Sequence, residues 1–258
     1  MKDRDDNLVQ SVDRAITLLE ALAEGENGYG ITELSNVTGL HKTTVFRLLN
    51  TLMSRGYVEK DLKSDKYRLG IRLLLLGSAI LDRMDLRNTA RPYIKELSDD
   101  TKEVVHLAIL DEGEAVYIDK VESPDHSIRI YSQIGKRSPL HCTALGKVLL
   151  SGLSDSEVEK IIKAKGLKKY TEKTITDFQQ LKEEIALTRE RGYGFDEIEH
   201  EEGIRCVAAP IYDRRGKIVA AISISGPIIY ITQERMAELT EKITRTAKAI
   251  SCQLGYLE

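Results

Sequence analysis

No run of about 18 uncharged apolar residues occurs in this chain of 258 residues, and a stretch such as Leu73–Leu76 is far too short to span a bilayer. Cysteine is scarce. Its three copies, Cys142, Cys206 and Cys252, are odd in number and lack CxxC spacing. That set argues against a disulfide framework or a structural zinc site and fits a reducing, cytoplasmic compartment. The opening residues Met1-Lys2-Asp3-Arg4-Asp5-Asp6 have no apolar segment behind their charges, so no secretion signal is expected. Catalytic motifs are missing too: there is no GxSxG elbow, phosphate-binding glycine loop or HExxH pair. His141-Cys142 and Cys206 form a conceivable cysteine–histidine pair, or with Asp196 a metal site, but lone Cys and His are more often packing residues. The expectation is a chain that is no enzyme and carries neither metal nor cofactor.

What is present suits two domains of roughly 80 to 170 residues. The formal net charge of −3 says nothing about nucleic acid, but its distribution does. Residues 1–40 hold three Lys/Arg against eight Asp/Glu, whereas residues 41–68 hold seven Lys/Arg against three. A compact basic segment inside an acidic protein is a candidate phosphate-contacting footprint, although a solvated surface gives the same count.

Periodicity organises that segment. Val12, Ile16, Leu19 and Leu22-Ala23 recur at helical spacing and predict a helix from about Asn7 to Ala23. Ile31, Leu34 and Val37 mark a second helix that ends at Gly39, and a third begins near His41-Lys42-Thr43 with Val45, Leu48, Leu49 and Leu52 inward. Tyr57 to Lys60 and Lys66 to Leu69 then read as a hairpin around the polar turn Asp61 to Asp65. Helix, helix, turn, helix and hairpin form the plan of a winged helix-turn-helix, which places its recognition helix in the major groove of double-stranded DNA. Arg47 can reach a guanine edge bidentately, while Thr43 and Thr44 suit phosphates or a thymine methyl. Lys42, Lys60, Lys63, Lys66 and Arg68 are candidate phosphate contacts that read no sequence.

Residues 71–85 follow as a linker helix, since Gly70 to Leu81 is apolar nearly all round. Such a helix is expected to be buried on more than one side, either in a domain core or against a partner chain. A second helix runs from about Leu86 to Asp100. Beyond it, strands are expected at Val104–Leu110, Ala115–Val121, Ile128–Ile134, Arg205–Tyr212 and Ile218–Ser225. Helices are expected at Ala144–Ser151, Asp155–Lys165, Asp177–Arg191 and Thr232 to about Leu254. Residues 86–258 therefore read as an α+β domain around a largely antiparallel sheet, behind a DNA-binding domain at 1–70.

Several of these segments resemble the IclR family of transcription regulators. Ser11-Val12-Asp13-Arg14-Ala15 and His41-Lys42-Thr43-Thr44-Val45-Phe46-Arg47-Leu48-Leu49 are similar to its DNA-binding half. Pro139 to Lys147, Gly203 to Ile211 and Ala220 to Pro227 are similar to its effector domain. The resemblance implies a winged helix, a linker helix and a GAF-like effector-binding domain, assembled as homodimers or homotetramers. It also implies a repressor of a catabolic operon that answers to a small keto or sugar acid. By that resemblance the effector pocket falls on Ile130, Ser138, Ala144, Leu145, Asp196, Cys206, Ser223 and Ser225. Ser138, where relatives often carry an apolar wall, favours a hydroxylated effector over the shortest keto acids. As a whole the sequence is most similar to the branch of regulators of hexuronate and pectin breakdown, whose effector is 2-keto-3-deoxygluconate. Two other readings remain open from the residues alone: an enzyme using Cys206 or Cys142 as nucleophile, and an architectural DNA-binding dimer without a ligand.

Overall fold

The computed structural model describes residues 8–25, 27–82, 85–122 and 132–257. The chain divides into two compact units, residues 1–83 and 84–258.

The first unit is built from α1 (Gln10–Glu24), α2 (Ile31–Thr38), α3 (Lys42–Ser54), β1 (Val58–Lys60), β2 (Tyr67–Leu69) and α4 (Arg72–Asp82). Leu18 and Leu22 of α1 pack with Leu34, Val45, Leu49, Val58 and Tyr67 into one small core. Gly39 makes the turn between α2 and α3. It adopts φ 70°, a left-handed conformation that a Cβ disfavours. The Ser35 hydroxyl donates to the Leu40 carbonyl at 2.7 Å and closes that corner. β1 and β2 pair antiparallel from Val58 opposite Leu69 to Lys60 opposite Tyr67. Tyr29 and Tyr67 exchange backbone hydrogen bonds at 3.0 and 2.8 Å and tie the hairpin to the helices.

One expectation for this unit needs correction. Val12 and Ile16 of α1 are exposed, because the face turned to the core is that of Leu18, Ala21 and Leu22. On the apolar α4, Leu74, Leu75 and Leu76 are 64, 70 and 52% exposed in the single chain, so the domain core does not cover the helix all round, and burial against a partner chain stays the open expectation.

The second unit carries α5 (Asp85–Thr101), β3 (Val104–Asp111), β4 (Glu114–Val121), β5 (Arg137–Ser138), α6 (Ala144–Ser151), α7 (Asp155–Lys165), α8 (Phe178–Arg191), β6 (Gly194–Glu197), β7 (Ile204–Tyr212), β8 (Ile218–Pro227) and α9 (Met236–Gln253). Among the described residues its six strands are all antiparallel and stand in the order β5-β4-β3-β8-β7-β6. The mixed α+β architecture follows from strand alternation. Val105, Leu107, Val207, Ile222 and Ile224 point to one face and pack with Ile94, Ile243 and Ile250 of α5 and α9. Ala108, Ala208 and Ala221 point to the other, where Leu145, Val148 and Leu149 of α6 lie against them, with Leu181 and Ile185 of α8 beyond. Small residues on that face let α6 come close. Gly146 sits so near Leu140 that a Cβ would lie 2.2 Å from its carbonyl oxygen.

Glu112 and Gly113, with φ 47° and 78°, make the β3–β4 connection a two-residue turn with both central residues left-handed. The strand expected over Ile128–Ile134 falls mostly outside the described residues, and Ile134 itself lies in a turn. β5 and β6 have only two and four residues, and neither was anticipated from the sequence pattern. α9 starts at Met236, since residues 232–235 are spent on turns.

Candidate functional site

The register of the sheet gathers polar side chains that lie far apart in sequence. His106 on β3 stands opposite Ser223 on β8, Ser223 opposite Ala208 on β7, and Ala208 opposite Gly194 on β6. One row further, Ser225 stands opposite Cys206, and Cys206 opposite Asp196. Cross-strand partners share a face, so His106, Ser223, Ser225, Cys206 and Asp196 form one patch on the α6 side, just past the alanines on which the helix rests. Above this patch lies a cavity of about 500 Å³, counted with its open mouth.

Of the eight residues expected to line an effector pocket, Ala144, Leu145, Asp196, Cys206, Ser223 and Ser225 border this cavity. Ser138 is buried but does not border it; its hydroxyl lies beside the Tyr117 phenol. Ile130 lies outside the described residues. The cavity also takes His106, Tyr117, Ser132, Thr143, His200 and Glu201, which were not anticipated. One signal was available for His106: it is a single polar residue inside the otherwise apolar strand Val104 to Leu110.

Burial sets the chemistry of the patch. It pushes the Asp196 carboxyl up to about 7, against backbone N–H groups of Glu199 and His200 that favour its ionised form. Burial, helped by Lys120, brings the His106 imidazole down to about 3, so the ring is neutral. The Tyr117 phenol is pushed up to about 12 by burial. The Cys142 and Cys206 thiols are also raised by burial and by Asp196, which is the opposite of what an activated nucleophile needs. Among the described residues, no three His, Cys, Asp or Glu side chains are placed to hold a metal ion.

The segment after Asp196 is held under tension. Ile198 has φ 64°, an unfavourable conformation for a β-branched residue, worth about 1–3 kcal/mol of strain. Thr171 donates to the Ile198 carbonyl at 2.7 Å and Thr174 to the Glu199 carbonyl at 2.6 Å. The Glu199 carboxylate meets Lys147 Nζ of α6 at 2.5 Å, and that lysine is almost wholly buried. The Glu199 N–H in turn donates to Asp196 at 2.7 Å. Asp196 is thus fixed by a chain of contacts reaching the helix that opens onto the cavity. Thr143 caps that helix, its hydroxyl accepting the Gly146 N–H at 3.1 Å.

The basic residues of the first unit form a different surface. Lys42, Thr43 and Arg47 stand exposed along α3, with Thr44 half-buried and Phe46 exposed among them. In the wing, Lys63 is exposed in a turn organised by Asp61, which accepts from the Lys63 N–H at 2.9 Å and the Ser64 hydroxyl at 2.7 Å. Lys60 pairs with Asp65 at 2.5 Å, Arg68 with Glu59 at 3.5 Å and Lys66 with Glu33 at 3.9 Å. Lys42, Arg47 and Lys63 make no ion pair among the described residues, so their full charge is offered outward.

Comparison with known proteins agrees with both halves. The model of the IclR helix-turn-helix domain matches residues 11–62, and that of the bacterial transcriptional regulator IclR C-terminal matches residues 78–252. The HTH-type transcriptional regulator KdgR of Escherichia coli (strain K12) is 42% identical over 254 residues, 98% of this chain and 96% of that protein. The transcriptional repressor IclR of the same organism is 37% identical over 249 residues, covering 96% and 90%. The crystal structure of the Thermotoga maritima IclR aligns with a TM-score of 0.79 at 32% identity, over 96% of this chain and 100% of that one.

Proposed function

Given that this chain belongs to the IclR family of bacterial transcription regulators, with a DNA-binding helix-turn-helix and an effector-binding domain, we propose that it represses a carbohydrate or organic-acid catabolic operon and is released by a sugar keto acid of the 2-keto-3-deoxygluconate type. The observation that carries the effector class is the combination of groups around one cavity. Ala144 and Leu145 open α6 at its rim, and the first N–H groups of a helix have no partner within it, which suits a carboxylate. Ser223 and Ser225 supply hydroxyls for ligand oxygens. Asp196, titrating near neutrality, either accepts from a ligand hydroxyl or donates to a ligand oxygen. The raised thiols speak against an acyl-transfer enzyme at this site and favour a sensor; a regulator that acts on DNA works in the cytoplasm.

On the DNA side, α3 enters the major groove with Arg47 on a base edge and Thr43 and Thr44 at its start on phosphate or a thymine methyl. Lys42 and Lys63 bind phosphates directly. Lys60, Lys66 and Arg68 do so only by sharing charge with Asp65, Glu33 and Glu59. The exposed apolar residues Val12 and Ile16 of α1 and Leu74 to Leu76 of α4 support assembly as a dimer or tetramer, in which a second copy covers them. Effector binding then shifts how paired heads are held, a coupling worth about 1–3 kcal/mol.

A thermal-shift titration with 2-keto-3-deoxygluconate tests this reading. At about 100 times its dissociation constant the ligand should stabilise the folded protein by about 2.7 kcal/mol and release it from operator DNA in a mobility-shift assay. No shift in melting point and no release would overturn the effector class.

A further inference from the structure

His106 is buried on the floor of the cavity, and its contacts on the two ring nitrogens differ. Nε2 lies 2.8 Å from the Ser132 hydroxyl, a well-formed hydrogen bond. Nδ1 lies 3.3 Å from Ser223 Oγ and 3.4 Å from Ser225 Oγ, both long for an O–H···N contact. The two hydroxyls are themselves 3.4 Å apart. Packing alone does not call for this arrangement. An apolar residue beside Tyr117, whose ring centre is 5.0 Å away, would fill the same space without desolvating a polar ring. One side of the imidazole is anchored, and the other is loosely satisfied by groups that can turn toward something better.

We propose that His106 is the specificity-determining residue of this pocket, holding the hydroxylated tail of a sugar keto acid while the start of α6 takes its carboxylate. The proposal rests on the effector reading given above and names the part of the ligand that is read. A neutral imidazole presents one donor and one acceptor. With a rotatable serine hydroxyl on each side, either tautomer can be satisfied, so the ring follows a ligand hydroxyl in whichever role that hydroxyl needs. A ligand hydroxyl that replaces the long Nδ1 contacts gains a short bond and displaces weak ones. A keto acid without hydroxyls leaves the ring and serines as they are and gains nothing from them. Discrimination of roughly 10–100-fold between the two kinds of acid is the expected scale for a buried polar group that has or lacks its partner. Burial holds the ring neutral far below physiological pH, so the imidazole itself keeps one donor and one acceptor throughout that range.

Calorimetric titration of the full chain with 2-keto-3-deoxygluconate, pyruvate and 2-oxohexanoate provides the test. Wild type should bind the hydroxylated acid roughly 10–100-fold more tightly than 2-oxohexanoate, which has the same chain length without hydroxyls. His106→Leu should remove most of that preference while leaving pyruvate within about twofold, and His106→Asn, which keeps a donor and an acceptor, should retain part of it. Equal wild-type affinity for 2-keto-3-deoxygluconate and 2-oxohexanoate overturns the proposal whether or not a variant folds. So does a His106→Leu protein that keeps its preference or loses pyruvate equally. If the wild type takes up none of the three acids, the effector reading itself fails, and the assignment of His106 fails with it.

Discussion

Most side chains assigned to DNA stand in water, whereas the polar oxygens assigned to the effector are shut away from it. Lys42, Thr43, Arg47 and Lys63 are exposed, while Asp196, Ser223 and Ser225 are 3, 1 and 5% exposed. The difference follows from the size and charge of the two partners. A duplex is a large polyanion that comes to the surface, so a few outward charges on one helix and one hairpin suffice, and their contribution is screened by salt. A small acid offers few atoms, so each contact has to be made in a dry, preformed site, where burial also moves the acid–base behaviour of the groups lining it. The first unit is accordingly a surface made by adjacent residues, and the second is a cavity made by strands distant in sequence.

The largest expected effect comes from emptying the cavity of its polar groups. Asp196→Ala combined with Ser223→Ala should cost at least 100-fold in effector response, read as operator release, while operator affinity without ligand stays unchanged. A retained response would move the pocket elsewhere and dissolve the contrast drawn above.

Next in size is a pH effect confined to the second unit. Folded Asp196 keeps its proton up to about pH 7, whereas an unfolded aspartate releases it near 3.8. The folded state therefore holds the extra proton between about pH 4 and 7, and stability falls as pH rises through that window. Asp196→Asn should abolish this slope, so the wild type loses up to about 4 kcal/mol relative to the variant between those limits, measured by denaturant unfolding. Glu199, Lys147 and His200 surround the group and are common to both proteins. His106 gives a slope of opposite sign, because the unfolded chain binds its proton below 6.5, and it too cancels in the difference.

Smaller effects separate the roles within the exposed surface. Arg47→Ala should weaken operator binding by about 1–3 kcal/mol and relax base preference at one position in a binding-site selection. Lys63→Ala should instead weaken operator and random DNA alike, with the salt slope reduced by about 0.9. An Arg47 variant that loses affinity uniformly, as Lys63 should, would make α3 a phosphate binder rather than a reader.

Local signals carried most of the elements. Residues Ala144–Ser151 and Asp155–Lys165 fold as the helices that their pattern indicates, aided by the Thr143 cap and the Ser154–Glu157 capping box. The Gly39 turn was also legible, since it needs a residue that tolerates positive φ. Errors appeared where a face depends on what lies opposite. Val12 and Ile16 fit a helical stripe, yet the core takes Leu18, Ala21 and Leu22, with Leu19 of that stripe partly buried against them. Of the residues that border the cavity, family resemblance supplied Ala144, Leu145, Asp196, Cys206, Ser223 and Ser225; His106 was marked only by standing alone among apolar neighbours, and Tyr117 and His200 came to light only in three dimensions.

By itself the sequence determined the helix-turn-helix with its wing, the antiparallel α+β domain and the basic surface on α3. These depend on residues three or four apart along a helix, or two apart along a strand. Only the tertiary structure decided that His106, Asp196, Cys206, Ser223 and Ser225 share one patch, because strand register sets who stands opposite whom. It also decided their protonation. Burial in the packed domain sets it, and no residue carries that information alone.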